Sequence, residues 1–155
     1  MDADTIVALS KAGGAAALGL AAVGSSIGAG LAGSSAIGAW KKCYAQSKAA
    51  PFILITFIGA PLSQTIYGMI LMGWMVTAAG DPAIAAKSWA TMLIGGICGG
   101  LGMGVSAWFQ GKAGAAGADA LAETGQGFGN YLMTLGVIET VALFVLVFIR
   151  SSFAG

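Results

Sequence analysis

The chain has 155 residues, of which only 13 carry a charge, 8% against about 25% in an ordinary soluble domain. Hydrophobic residues make up 57% of it, and the mean hydropathy is +0.87. Too little polar surface remains for a water-soluble enzyme, a nucleic-acid binder or a disordered tail, and the net charge of +1 marks no strongly charged partner. There is no histidine for acid–base chemistry or for most zinc and haem sites. Cys43 and Cys98 are too few for a disulfide scaffold and fit no metal-binding spacing. The class these numbers imply is an all-α integral membrane protein.

The charges divide the chain into long uncharged runs. Ala12–Trp40 has 29 residues, Ala49–Gly80 has 32 and Ser88–Gly111 has 24. A bilayer span needs about 20 apolar residues at 1.5 Å each. A fourth stretch, Gly127 to Arg150, is long enough and is interrupted only by Glu139. The pattern predicts four transmembrane helices at about 11–41, 51–79, 84–121 and 127–151. The opening acids and the length of the first apolar run are unlike a secretory leader. The first connection carries Lys41, Lys42 and Lys48, and the second is a Gly80-Asp81-Pro82 turn. Counted with Lys112, the connection side has four basic residues against Lys11, Lys87 and Arg150. The clustered lysines place the first and third connections on the cytoplasmic side.

The helices are of two kinds. The first contains Gly24, Gly28, Gly30, Gly33 and Gly38, and the third Gly95, Gly96, Gly99, Gly100, Gly102 and Gly104. Several pairs, among them Gly24/Gly28 and Gly96/Gly100, have the four-residue spacing that lets helices approach closely in lipid. The second and fourth are bulky, as in Phe52–Ile58 and Phe144–Ile149. Slim and bulky helices alternate, as in a duplication of one hairpin, residues 1–80 and then 81–155. The Gln64-Thr65 and Glu139-Thr140 pairs give an offset of 75, whereas aligning Tyr67-Gly68 with Phe144-Val145 gives 77. Only the second copy has a carboxylate at that place.

A carboxylate in mid-bilayer costs about 2.5–3.5 kcal/mol on insertion scales, so it must be protonated, paired or bound to a cation. Counted from the connection side, Ser63, Gln64, Gln110 and Glu139 all lie about 18–20 Å deep. In the first helix that depth falls near Gly30, which offers no side chain and allows close packing. The layer offers one carboxylate, two amide oxygens and a hydroxyl, but no thiol or imidazole. Such a set suits a hard monovalent cation such as Na⁺. A proton needs the carboxylate alone, and the amides would then only hydrogen-bond it. Pro61 has no N–H to donate and distorts its turn, which frees main-chain oxygens. Tyr67, one turn beyond Ser63, is placed to hydrogen-bond Glu139 and fix its rotamer.

These features resemble the four-helix proteolipid, the c or K subunit, of V-type rotary ATPases, and within that family its bacterial Na⁺-translocating branch. Ala60-Pro61-Leu62-Ser63-Gln64-Thr65-Ile66-Tyr67-Gly68 is similar to that branch's Leu-Pro-Gly-Thr-Gln-Gly-Leu-Tyr-Gly. Gln110-Gly111-Lys112 and Val137-Ile138-Glu139-Thr140 match its other two motifs. The resemblance implies Na⁺ ligation by Glu139, Gln110, Gln64, Ser63 and the main-chain carbonyl of Ala60, with Tyr67 as a latch on the carboxylate and Pro61 as the helix kink. Ser63 in place of threonine keeps the hydroxyl, and Leu62 stands where the family has glycine.

It further implies a ring of identical subunits in a bacterial plasma membrane, with the first and third helices inside and the second and fourth facing lipid. Its partners would be a stator protein bearing a cationic residue, which displaces the ion from Glu139, and central-stalk proteins on the cytoplasmic side. ATP would be hydrolysed elsewhere in the complex. This chain has no Gly-x-x-x-x-Gly-Lys-Ser/Thr motif, and no catalytic residue is expected in it. The same rotor carrying H⁺ is the alternative. A small four-helix multidrug transporter would need an aromatic-lined cavity around its acid, whereas Glu139 is flanked by Gly136, Val137, Thr140 and Val141. A purely structural pore proteolipid would not need the oxygen layer.

Overall fold

The structure, a computed structural model, describes residues 1–153. Helix α1 is Ala3–Ala45. The second span comprises a 3-10 turn at Phe52–Leu54, α2 at Ile55–Gly59, a second 3-10 turn at Ala60–Leu62, and α3 at Ser63–Ala79. Helices α4, Pro82–Thr124, and α5, Phe128–Phe153, complete the bundle. There are four spans long and apolar enough to cross a membrane among the described residues, one more strongly apolar than the rest at the C-terminal end. The protein is a multi-pass membrane protein.

Both glycine-rich helices exceed their expected limits of 11–41 and 84–121. At 43 residues each they measure about 64 Å, well beyond the roughly 30 Å hydrocarbon core. A charge ends an apolar run without ending a helix, so the ends carrying Lys41, Lys42 and Asp119 continue into water. Capping sets the true limits. Asp2 accepts from the Thr5 amide at 2.8 Å, a bond that also holds its carboxyl below the usual range. Asp81 accepts from the Ala83 amide at 2.8 Å and precedes Pro82 at the first helical position. Gly125 closes α4 in the left-handed conformation, φ +68°, with its amide on the Leu121 carbonyl.

The small residues determine how the helices pair. A Cβ added to Gly96 would overlap the Gly13 backbone, one on Gly24 the Gly104 backbone, and one on Gly111 the Gly28 backbone. Contact partners rise together in number, so α1 and α4 run parallel, in near backbone-to-backbone contact. Helix α3 lies antiparallel to α1: a Cβ on Gly68 would come within 2.9 Å of the Ala21 side chain, and one on Gly28 within 2.9 Å of Pro61. Helix α5 lies antiparallel to α4, with the Ser106 hydroxyl donating to the Ile138 carbonyl at 2.9 Å.

The expected marker Gly30 is not at the α1 contact. It is exposed and has nothing near a notional Cβ, whereas Gly28 is buried against Ala107 and Pro61. Depth along a helix does not fix the face. Replacing Gly28 with alanine should therefore destabilise the protein by about 1–3 kcal/mol through overpacking, while Gly30→Ala should be nearly silent. Thermal denaturation of the two variants in mild detergent checks this.

The second span bends where Pro61 sits. Proline has no N–H for the Phe57 carbonyl, and the helix tightens to 3-10 over Ala60–Leu62. Leu62 has φ −81° and ψ −21°, which any L-residue adopts, so the bend needs no glycine there. Two apolar clusters then form, one on each side of mid-span. One contains Ala17, Ala21, Leu71, Met75, Met103 and Leu146, and the other Ala36, Leu54, Phe57, Ala118 and Leu135.

Candidate ion site

Between the two clusters lies the polar layer. Gln64 and Gln110 are fully buried. A buried amide without partners is costly, and here each finds them in the layer itself. The Gln64 Nε2 donates to Gln110 Oε1 at 2.9 Å, joining α3 to α4. Gln110 Nε2 donates to the Leu135 carbonyl at 3.1 Å and to Glu139 Oε2 at 3.4 Å, joining α4 to α5. The Tyr67 hydroxyl donates to the other carboxylate oxygen, Glu139 Oε1, at 2.5 Å and closes the circuit back to α3. The chain of contacts thus runs Gln64, Gln110, Glu139, Tyr67 across three helices.

The remaining members stand at the bend. The Ser63 hydroxyl oxygen is 3.0 Å from the Ala60 carbonyl oxygen and 3.2 Å from Gln64 Oε1. A hydroxyl has one proton, so it satisfies one of these acceptors and leaves three oxygens gathered within one helical turn. The local fold explains the cluster. The 3-10 turn at Ala60–Leu62 hands over to α3 at Ser63, and the change of pitch brings Ala60 O beside the Ser63 side chain. Glu139 is partly exposed on the outward side of α5, while Gln64 and Gln110 close its inward side.

All the residues singled out from the sequence, Ala60, Pro61, Ser63, Gln64, Tyr67, Gln110 and Glu139, therefore fall in one connected region. Lys112 does not join it. It is exposed, with Nζ 5.5 Å from the Phe109 ring centroid. Sequence reasoning missed Ser106. Its bond to the Ile138 carbonyl fixes the backbone immediately before Glu139. Its position four residues before Gln110 on α4 was the available signal. It also missed Ser25, a 2%-exposed hydroxyl with no partner. Among the described residues there is no cluster of three or more His, Cys, Asp or Glu side chains of the kind that holds a transition metal.

A comparison with protein families finds that residues 93–149 match the family model of the ATP synthase C subunit. The matched segment runs from within α4 through most of α5 and includes both Gln110 and Glu139. The first hairpin, with Ser63, Gln64 and Tyr67, lies outside it. No curated protein matches the chain.

Proposed function

We propose that this chain is the proteolipid of a rotary ATPase of the V type, and that it carries Na⁺ across the membrane on Glu139. The similarity of residues 93–149 to the ATP synthase C subunit supports a rotor proteolipid, a non-catalytic, ion-translocating component. The observation that carries the sodium reading is the layer itself: a single carboxylate met by the buried Gln110 amide, which in turn meets the buried Gln64 amide, whose oxygen lies with the Ser63 hydroxyl and the Ala60 carbonyl. One negative charge and several neutral oxygens neutralise and coordinate one hard monovalent cation. The loaded site then has no net charge and can face lipid at low cost.

Each residue has a task in this scheme. Glu139 supplies the charge. Gln64, Gln110, Ser63 and the Ala60 carbonyl supply neutral oxygen. Rotation of a terminal amide exchanges its N–H for its oxygen, so the amides that now bond one another turn their oxygens to an arriving ion. Tyr67 holds the carboxylate inward while the ion is bound. Identical subunits form a ring with α1 and α4 inside, where glycines permit close packing, and with α3 and α5 against lipid. A stator cation that reaches Glu139 favours the bare carboxylate and expels Na⁺. Central-stalk proteins on the cytoplasmic side link rotation to nucleotide chemistry elsewhere.

The test is protection of Glu139. Na⁺ should compete with the proton that the carboxyl needs to react, and so suppress its labelling by a hydrophobic carbodiimide, measured by mass spectrometry of the modified peptide. K⁺ at equal ionic strength should protect far less. Labelling that depends on pH alone and ignores Na⁺ would instead identify a proton-carrying rotor, in which the amides merely hydrogen-bond a protonated Glu139.

A further inference from the structure

Hydroxyls in these helices find carbonyl partners, mostly in their own preceding turn, with Ser35 and Ser106 reaching a neighbouring helix. Ser10 donates to the Ile6 carbonyl, Ser26 to Val23, Thr134 to Asn130 and Ser151 to Val147. Ser25 does not. It is 2% exposed, and its Oγ is the one buried side-chain polar atom without a hydrogen-bond partner among the described residues. Such an orphan is rare in a folded protein and calls for a partner.

The packing register identifies where the hydroxyl stands. Along the α1–α3 seam Ala21 meets Gly68, and Gly28 meets Pro61. Ser25 lies four residues after Ala21 and three before Gly28. Gln64 lies four residues before Gly68 and three after Pro61. In two antiparallel helices these spacings set Ser25 directly opposite Gln64. Both residues are buried, and their neighbours along the seam are small or apolar.

Gln64 spends one N–H on Gln110 Oε1, and its own oxygen lies beside Ser63. Its second N–H has no partner in the layer. We infer that Ser25 is a positioning residue for Gln64: its hydroxyl takes the amide N–H when a cation claims the glutamine oxygens, and so holds Gln64 Oε1 toward the ion. The inference rests on the sodium reading above. In the arrangement described, the amides bond each other and Ser25 has no partner. In the loaded site Gln110 Oε1 is no longer free to accept from Gln64, and Ser25 replaces it. The change needs side-chain rotation and no helix movement. It brings α1, which has no side chain in the Gln64–Gln110–Glu139–Tyr67 contact chain, into cation selection.

The experiment is a titration of carbodiimide protection on intact protein carrying Ser25→Ala, a substitution the alanine-rich helix accepts without a change in packing. The loss of one such hydrogen bond should raise the Na⁺ concentration for half-protection about 3- to 10-fold. The pH profile of labelling in Na⁺-free buffer should stay as in the wild type, because the proton needs only the carboxylate. In a Gln64→Ala background, Ser25→Ala should have no further effect. Equal Na⁺ titrations for the wild type and Ser25→Ala would overturn the inference while leaving the sodium site standing. So would an equal shift of the Na⁺ and H⁺ profiles, or an undiminished effect without Gln64, since each marks a general packing role. If Na⁺ failed to protect the wild type at all, the sodium reading would fall and this inference with it.

Discussion

Glu139→Gln should abolish both carbodiimide labelling and ion transport by the assembled complex, while the protein still folds. The amide has nearly the shape of a protonated carboxyl, so the Tyr67 hydroxyl and the Gln110 amide keep a partner at this position. The bundle therefore loses little. What disappears is the single negative charge in the layer. A hard cation in a medium of low dielectric cannot be held by neutral oxygens alone at comparable strength, and nothing is left for a stator cation to displace. Transport should fall at least about 100-fold, as for an interaction worth several kcal/mol. Measured in proteoliposomes, Na⁺ uptake by a complex built on Glu139→Gln should not exceed the leak of empty vesicles. Uptake at a substantial fraction of wild type would mean that the ion path avoids this residue.

Gln110→Ala should have the next largest effect, and a selective one. Gln110 is fully buried and makes three contacts: it accepts from Gln64 and donates to the Leu135 carbonyl and to Glu139. Its removal deletes a candidate oxygen ligand and leaves the Gln64 N–H unsatisfied. One such loss costs about 1–3 kcal/mol, or about 5- to 150-fold in Na⁺ affinity. The proton affinity of Glu139 should not fall with it, because protonation uses no amide oxygen and the lost N–H had favoured the ionised form. The paired readout is the Na⁺ concentration for half-protection and the pH of half-labelling without Na⁺. Equal displacement of both would remove Gln110 from the ligand set and reduce it to a tie between α4 and α5.

The layer was legible in the sequence because helices convert residue number into depth. Ser63, Gln64, Gln110 and Glu139 stand at similar counts from one membrane surface, and a rise of 1.5 Å per residue brings them level without any packing information. Pro61 was equally legible, since a missing N–H has a fixed consequence in any helix. Rotation about the helix axis was not. Gly28 and Gly30 are two residues apart and nearly level, yet only Gly28 points into the bundle. Ser25 and Ser106 were invisible for a related reason. A helical serine usually bonds its own preceding turn, and only the packed register reveals that one of these bonds a neighbouring helix and the other bonds nothing. The helix ends were drawn short in α1 and α4 because a charge marks the edge of lipid, whereas a cap marks the edge of a helix.

The alternation of slim and bulky helices has a functional sense in the proposed reading. The two slim helices have the same length and run parallel, and the two bulky spans flank them. Yet the bulky spans contribute unlike chemistry. The first supplies a bend, neutral oxygens and the Tyr67 hydroxyl, and the second supplies the charge. In the proposed reading one site is thus assembled from both halves and carries one ion per four helices.

Equilibrium binding of radioactive Na⁺ to the purified protein in mild detergent puts that stoichiometry to the test. The expected result is one Na⁺ per chain at saturation, a half-saturation that coincides with carbodiimide protection, and no saturable binding to Glu139→Gln. Absence of saturable binding by the wild type, or undiminished binding by Glu139→Gln, would contradict a sodium site built on this carboxylate.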